Sequence, residues 1–146
     1  MLAAGNDEIR GSTASGSVAD PLSNLRILVV EDSWHLAQAL KSLLEVAGPD
    51  VIGPAATIAE AHALIAERAP DLALVDVNLH GVMAYSLIDQ LIASKIPTVV
   101  VTGYEVLPEL AAKVAEGKVA AMLSKPIRFS ALLTTLRRIA AEPRKP

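Results

Sequence analysis

Leu72-Ala-Leu-Val-Asp76-Val-Asn-Leu-His-Gly81 opens with an unbroken apolar run that stops on a carboxylate. A continuous apolar run this short suits a strand buried on both faces, as in a parallel sheet. Arg26-Ile-Leu-Val-Val30, Thr98-Val-Val-Val101 and Val119-Ala-Ala-Met-Leu123 have the same form. Val51-Ile52 begins a weaker, shorter strand, read as cut off by Gly53-Pro54.

The stretches between these runs carry helical spacing. Leu36, Leu40, Leu43, Leu44 and Ala47 line one face, and Gly48-Pro49 ends that helix. Thr57-Ile-Ala-Glu60 matches a capping box, followed by Ile58, Ala61 and Ile65 as the apolar stripe. Ala84, Leu87, Ile88, Leu91 and Ile92 make a third stripe, and Leu107, Leu110, Ala111 and Val114 a fourth. Phe129, Leu132, Leu133, Leu136 and Ala140 make a fifth. Strand and helix alternating five times imply a doubly wound α/β sandwich of three layers with right-handed crossovers. For a lone small domain the expectation is a flavodoxin-like (βα)5 fold, a parallel five-stranded sheet in the order 2-1-3-4-5.

The chain has 146 residues, 52% of them apolar, enough for one domain with its own core. Residues 1–24 are rich in Gly, Ser, Ala and Asp without an apolar period and are expected to form a flexible tail. The domain is expected over 25–141, with 142–146 as a short C-terminal tail. Net charge is −3, from thirteen basic and sixteen acidic residues, which gives no broad positive field for nucleic acid or anionic lipid. Cysteine is absent, so there is no disulfide framework. No apolar run approaches the ~20 residues needed to span a bilayer, and the first residues lack the features of a secretory signal. The expectation is a cytoplasmic protein that engages neither membrane nor nucleic acid.

In open parallel sheets, ligands bind outside the carboxyl ends of the strands. Glu31 and Asp32 follow the first run, Asp76 the third, Thr102 the fourth and Lys125 the fifth. Singly, each has a plain structural role. Asp32 or Ser33 can cap a helix, and Asp76 can open a turn with Asn78 and Gly81. Together they form a chemical set. Three crowded carboxylates repel one another unless a cation neutralises them, and all-oxygen ligation by few protein groups suits Mg²⁺. With a metal present, Asp76 is free to act as a nucleophile toward a phosphoryl group. Lys125 can neutralise one phosphoryl oxygen and the Thr102 hydroxyl can bond another.

Ile27-Leu-Val-Val-Glu-Asp32, Leu74-Val-Asp-Val-Asn-Leu79 with Gly81, Val101-Thr-Gly103 and Ser124-Lys-Pro126 resemble bacterial response-regulator receiver domains. The resemblance covers about residues 25 to 141. It implies a stand-alone signalling module of a two-component system or phosphorelay, not a conventional enzyme. Asp76 would be the phosphoacceptor, supplied by a sensor histidine kinase or a histidine phosphotransfer protein. Asp32 and Asp76 would bind Mg²⁺ directly, Glu31 largely through water, and Asn78 through its backbone carbonyl. Thr102 would sense the phosphoryl group, Gly103 would allow close backbone approach, Lys125 would pair with phosphoryl oxygens, and the Lys125-Pro126 bond would be cis. Output would pass to a downstream protein target, and the helical surfaces leave room for a homodimer.

Two departures from the family pattern stand out. Met122 occupies a position that is often Tyr or Phe, and Leu79-His-Gly-Val replaces the commoner Leu-Pro. With that aromatic missing, Tyr104 is expected to carry the switch beside Thr102 and Met122. His35, His62 and His80 show no metal-ligand spacing. His80, close to Asp76 in sequence, reads as a solvated loop residue, with tuning of donor access as the alternative. Trp34 reads as covering the pocket edge or anchoring the first helix. A flavin or nucleotide enzyme on the same fold is the main alternative. It needs a Gly- or Ser/Thr-rich phosphate cradle where this chain has Glu31-Asp32. A receiver-like adaptor without phosphorylation would usually lack the acid pair or the lysine, and both are kept.

Overall fold

Arg26–Val30 forms strand β1 at the centre of the fold. In chain order follow α1 (Trp34–Ala47), β2 (Asp50–Ala55), α2 (Ile58–Glu67) and β3 (Leu72–Asp76). Next come β4 (Asn78–Leu79), β5 (Val82–Met83), α3 (Tyr85–Ala93) and β6 (Thr98–Thr102), then α4 (Pro108–Ala115), β7 (Ala121–Ser124) and α5 (Phe129–Ala141). The structure is a computed structural model that describes residues 20–103 and 108–143.

Five strands make one parallel sheet in the order β2-β1-β3-β6-β7. Counting its strands along the chain, this is the expected order 2-1-3-4-5. Residues alternate across the sheet, which explains why the apolar runs are unbroken. Leu28, Val30, Ala73, Val75 and Val100 face one core with Ala61, Leu87, Ile88 and Leu110 of α2, α3 and α4. Ile27, Val29, Leu72, Leu74, Val99 and Val101 face the other, with Leu40 and Leu44 of α1 and Leu132, Leu136 and Ile139 of α5. Each fully buried Leu, Ile or Val contributes about 1.5–3 kcal/mol. These two apolar layers hold the strand ends rigidly.

Local chemistry shapes the helix ends. Thr57 caps α2, its Oγ1 accepting the Glu60 N–H at 3.1 Å. The Glu60 carboxylate reaches past Thr57 to the Ala56 N–H at 2.8 Å, one residue further than a simple capping box. Gly48 ends α1 with φ 121°, and its N–H returns to Leu44 O and Glu45 O.

The structure corrects several expectations. β2 is not cut off at Gly53-Pro54 but runs through it to Ala55, with a cis Gly53-Pro54 bond and a register shift opposite Leu28 and Val30. An edge strand tolerates proline because one side of its backbone has no ladder to serve. β7 starts at Ala121 rather than Val119 and, as the other edge, is only half-buried. The tail expected over 1–24 is too long at its inner end. Asp20–Asn24 form a turn, Leu22 is fully buried against α1 and α5, and Asp20 pairs with Arg137 of α5. The remainder of that tail, residues 1–19, lies outside the described residues, as do Leu107 and residues 144–146. Among the described residues no helix is long and apolar enough to cross a membrane.

Candidate functional site

The parallel register brings the ends of β1, β3, β6 and β7 to one edge: Val30 lies beside Val75, Asp76 beside Val101, and Thr102 beside Ser124. The chain leaves the sheet at each of these points, around a shallow cleft. Asp32, Asp76, Asn78, His80, Gly81, Gly103 and Lys125 line this opening of about 370 Å³.

Asp76 sits at its floor, 4% exposed, and Glu31 beneath it is 2% exposed. Asp76 Oδ1 accepts the Asn78 N–H at 3.0 Å, and Oδ2 accepts from Lys125 Nζ at 2.7 Å. Asp76 therefore opens the turn with one oxygen and holds the lysine with the other. Lys125 Nζ also lies 3.4 Å from Glu31 Oε1. The Lys125 N–H donates to Thr102 O at 2.8 Å, which ties the lysine loop to the end of β6. Lys125-Pro126 is cis, as expected. Thr102 is buried at the strand end.

The start of α1 is held by a carboxylate rather than by a hydroxyl cap. Glu31 Oε2 accepts the Ser33 N–H at 2.9 Å, whereas Ser33 makes no side-chain cap bond. Asp32 is anchored from across the cleft: its Oδ2 accepts the His80 N–H at 2.8 Å and lies 3.2 Å from His80 Nδ1. His80 was expected to be a solvated loop residue. Its side chain is indeed exposed, yet the residue is bound to Asp32, a contact across 48 residues of chain.

Glu31, Asp32 and Asp76 each offer an oxygen within 4.8 Å of the other two. Burial pushes the Glu31 carboxyl up to about 7, and the Asp76 charge adds to this against the Ser33 N–H and Lys125. Burial also acts to raise Asp32, but hydrogen bonds from the Glu31 side chain and the His80 N–H outweigh it, and Asp32 lies below its ordinary value. Lys125 is raised: burial opposes this, and the bond to Asp76 overcomes it. One ammonium thus faces three carboxylates. A divalent cation held by oxygen ligands fits this excess of negative charge.

Not every expected residue joins the cleft. Met122 is half-buried against the α2–α4 side of the core, and Tyr104 lies outside the described residues. Trp34 is 68% exposed, with its ring at a steep angle to that of His35, and is not among the described residues that line the cleft. Among the described residues, a Cβ on Gly103 would meet no atom within 4 Å, so none of them demands glycine there. Sequence reasoning missed Asn78 Oδ1, which accepts the Gly81 N–H at 2.7 Å, and the clasp between His80 and Asp32. The turn composition of Asn78-Leu-His-Gly81 was the available signal for the first, and no local signal exists for the second.

The sequence model of the response regulator receiver domain matches residues 27–137. The chain belongs to that family. This receiver domain is 31% identical over 118 residues to the C4-dicarboxylate transport transcriptional regulatory protein DctD of Pseudomonas aeruginosa. That alignment covers 77% of this chain and 24% of the relative, so the chain spans about a quarter of that protein's length. The non-phosphorylated HemR receiver domain of Leptospira biflexa superposes with a TM-score of 0.74 at 28% identity, covering 84% of this chain and 98% of that one. A CheY-like response regulator receiver domain protein of Methanospirillum hungatei gives 0.72 at 28% identity, covering 81% and 94%. The receiver domain is a module of two-component signalling rather than a conventional enzyme fold, and the acidic pocket typical of the family is present here.

Proposed function

We propose that Asp76 accepts a phosphoryl group from a sensor histidine kinase or a histidine phosphotransfer protein, in a reaction that requires Mg²⁺. The observation that carries this reading is the position of Asp76, buried at the cleft floor between Lys125 and the Glu31–Asp32 pair. In the transfer the donor's phosphorus–nitrogen bond breaks as a bond from phosphorus to an Asp76 oxygen forms, leaving an aspartyl phosphate. Glu31, Asp32, Asp76 and the Asn78 carbonyl would hold the cation, which when bound supplies positive charge against the incoming phosphoryl oxygens. Lys125, already within bonding distance of Asp76, neutralises a further oxygen. Thr102, at the buried end of β6, is the group placed to respond to the new charge. Tyr104 and Met122 then relay its movement toward α4.

The signalling unit runs from Asp20 to about Ala141, and its output is contact with a downstream protein, acting in the cytoplasm without binding nucleic acid. Homodimerisation is compatible with this output. The decisive experiment is incubation with a small phosphodonor and Mg²⁺, read by intact mass. Wild type should gain one phosphoryl group, and Asp76→Asn or omission of Mg²⁺ should abolish it. Modification of any other residue in wild type overturns the assignment.

A further inference from the structure

The β4–β5 hairpin follows Asp76 directly, and its tip lies on the cleft. Asn78 pairs with Met83 and Leu79 with Val82, which leaves His80 and Gly81 as a two-residue loop. Both have positive φ, 52° and 84°. A type I′ hairpin loop requires this, and histidine is among the few residues other than glycine enriched in that region. The Asn78 Oδ1 bond to Gly81 N–H ties the loop from inside. The His80 N–H bond to Asp32 Oδ2 ties it to the opposite wall. The tip is therefore a stiff clasp, not a loose loop.

The side chains around the cleft mouth are mostly committed. Lys125 pairs with Asp76, Asn78 is turned onto Gly81, and the two lining glycines offer no side chain. Among the described lining residues, His80 alone places a large side chain at the outer rim, 78% exposed and held 3.2 Å from Asp32.

We propose that His80 sets the lifetime of the phosphoryl group on Asp76 by screening the solvent side of the cleft from water. This rests on the phosphoacceptor reading above. In the loss reaction a bond forms from the water oxygen to phosphorus and the bond from phosphorus to Asp76 breaks. The carboxylate is restored, and the water proton leaves with inorganic phosphate. Attack in line with the breaking bond comes from the side away from Asp76, which is the open side of the cleft. Excluding water from that side slows hydrolysis of the intermediate.

The test charges the full chain with acetyl phosphate and Mg²⁺, removes the donor, and follows phosphoprotein by intact mass. His80→Gly and His80→Asn both suit a type I′ loop and keep the N–H bond to Asp32. His80→Tyr restores bulk without the imidazole. His80→Gly should lose the group at least about threefold faster than wild type, with His80→Asn between them and His80→Tyr near wild type. An unchanged or slower loss in His80→Gly and His80→Asn overturns the screening role. Loss in His80→Tyr as fast as in His80→Gly also overturns it, by assigning the effect to the imidazole. A wild type that takes no label sinks the phosphoacceptor reading and this one with it, whereas a labelled wild type with insensitive variants sinks this one alone.

Discussion

Lys125 Nζ lies 2.7 Å from Asp76 Oδ2 and 3.4 Å from Glu31 Oε1, so a single ammonium bridges two carboxylates that are almost wholly buried. Removing a partner from a buried charge cluster costs far more than the pair contributes, because the remaining charges keep their desolvation penalty. Lys125→Ala should therefore lose about 3 kcal/mol in urea unfolding without divalent cation. Saturating Mg²⁺ should recover much of that loss. A variant as stable as wild type in the absence of metal would mean that the acids do not depend on Lys125.

The acid cluster also makes a prediction about metal alone. A cation bound by the folded chain stabilises it by mass action, about 2.7 kcal/mol at free metal of ~100 times Kd. Asp32→Ala removes one of the three converging oxygens and should abolish most of the Mg²⁺-dependent rise in melting temperature. An equal rise in Asp32→Ala would place the cation away from this cleft.

Leu22 and Asp20 anchor the segment ahead of β1. Leu22 is fully buried, so Leu22→Ala should cost about 2–5 kcal/mol. Asp20 accepts the Leu22 N–H at 3.0 Å and pairs with Arg137, and these contacts, the N–H first, lower its carboxyl below the ordinary 3.8. A depressed folded value contributes stability above the unfolded value and loses it as pH falls through the lower one. Asp20→Ala should accordingly be destabilised by about 1 kcal/mol at neutral pH. The gap to wild type should close in acid below 3.8. A gap that persists unchanged into strong acid would assign the effect to packing rather than charge.

The sheet and the cleft were legible because their signals are local. An apolar run followed by polar or charged residues marks a strand surfacing at a sheet edge, and Glu31, Asp32, Asp76, Thr102 and Lys125 all come just after such a run. Features that depend on distant partners were not legible. Leu22 sits in a polar stretch without a period, and only α1 and α5 folding over it reveal its burial. Nothing near His80 announces Asp32, which lies 48 residues away in the chain. Gly53-Pro54 looks like a strand terminator until β2 proves to be an edge.

Tyr85 was likewise invisible to periodicity, being one residue off the Ala84–Leu87–Ile88 stripe. It opens α3 and packs, partly buried, against the core on the α2–α4 side of the sheet. Its hydroxyl is buried and has no hydrogen-bond partner among the described residues. Burial, with Glu109 of α4 adding to it, raises this hydroxyl above its ordinary value. A few residues away Lys113 of α4 pairs with Asp89 of α3, so Tyr85 lies along the seam joining these helices. A buried polar group without a partner costs about 1–3 kcal/mol, and replacing it with an apolar group of the same shape recovers part of that. Tyr85→Phe keeps the ring and should raise stability by about 1 kcal/mol in thermal or urea unfolding. Phosphorylation of Asp76 should be unaffected, since Tyr85 does not line the cleft. A loss of about 1 kcal/mol or more, the value of one satisfied hydrogen bond, would show that the hydroxyl has a partner in solution and that the α3–α4 seam is differently arranged.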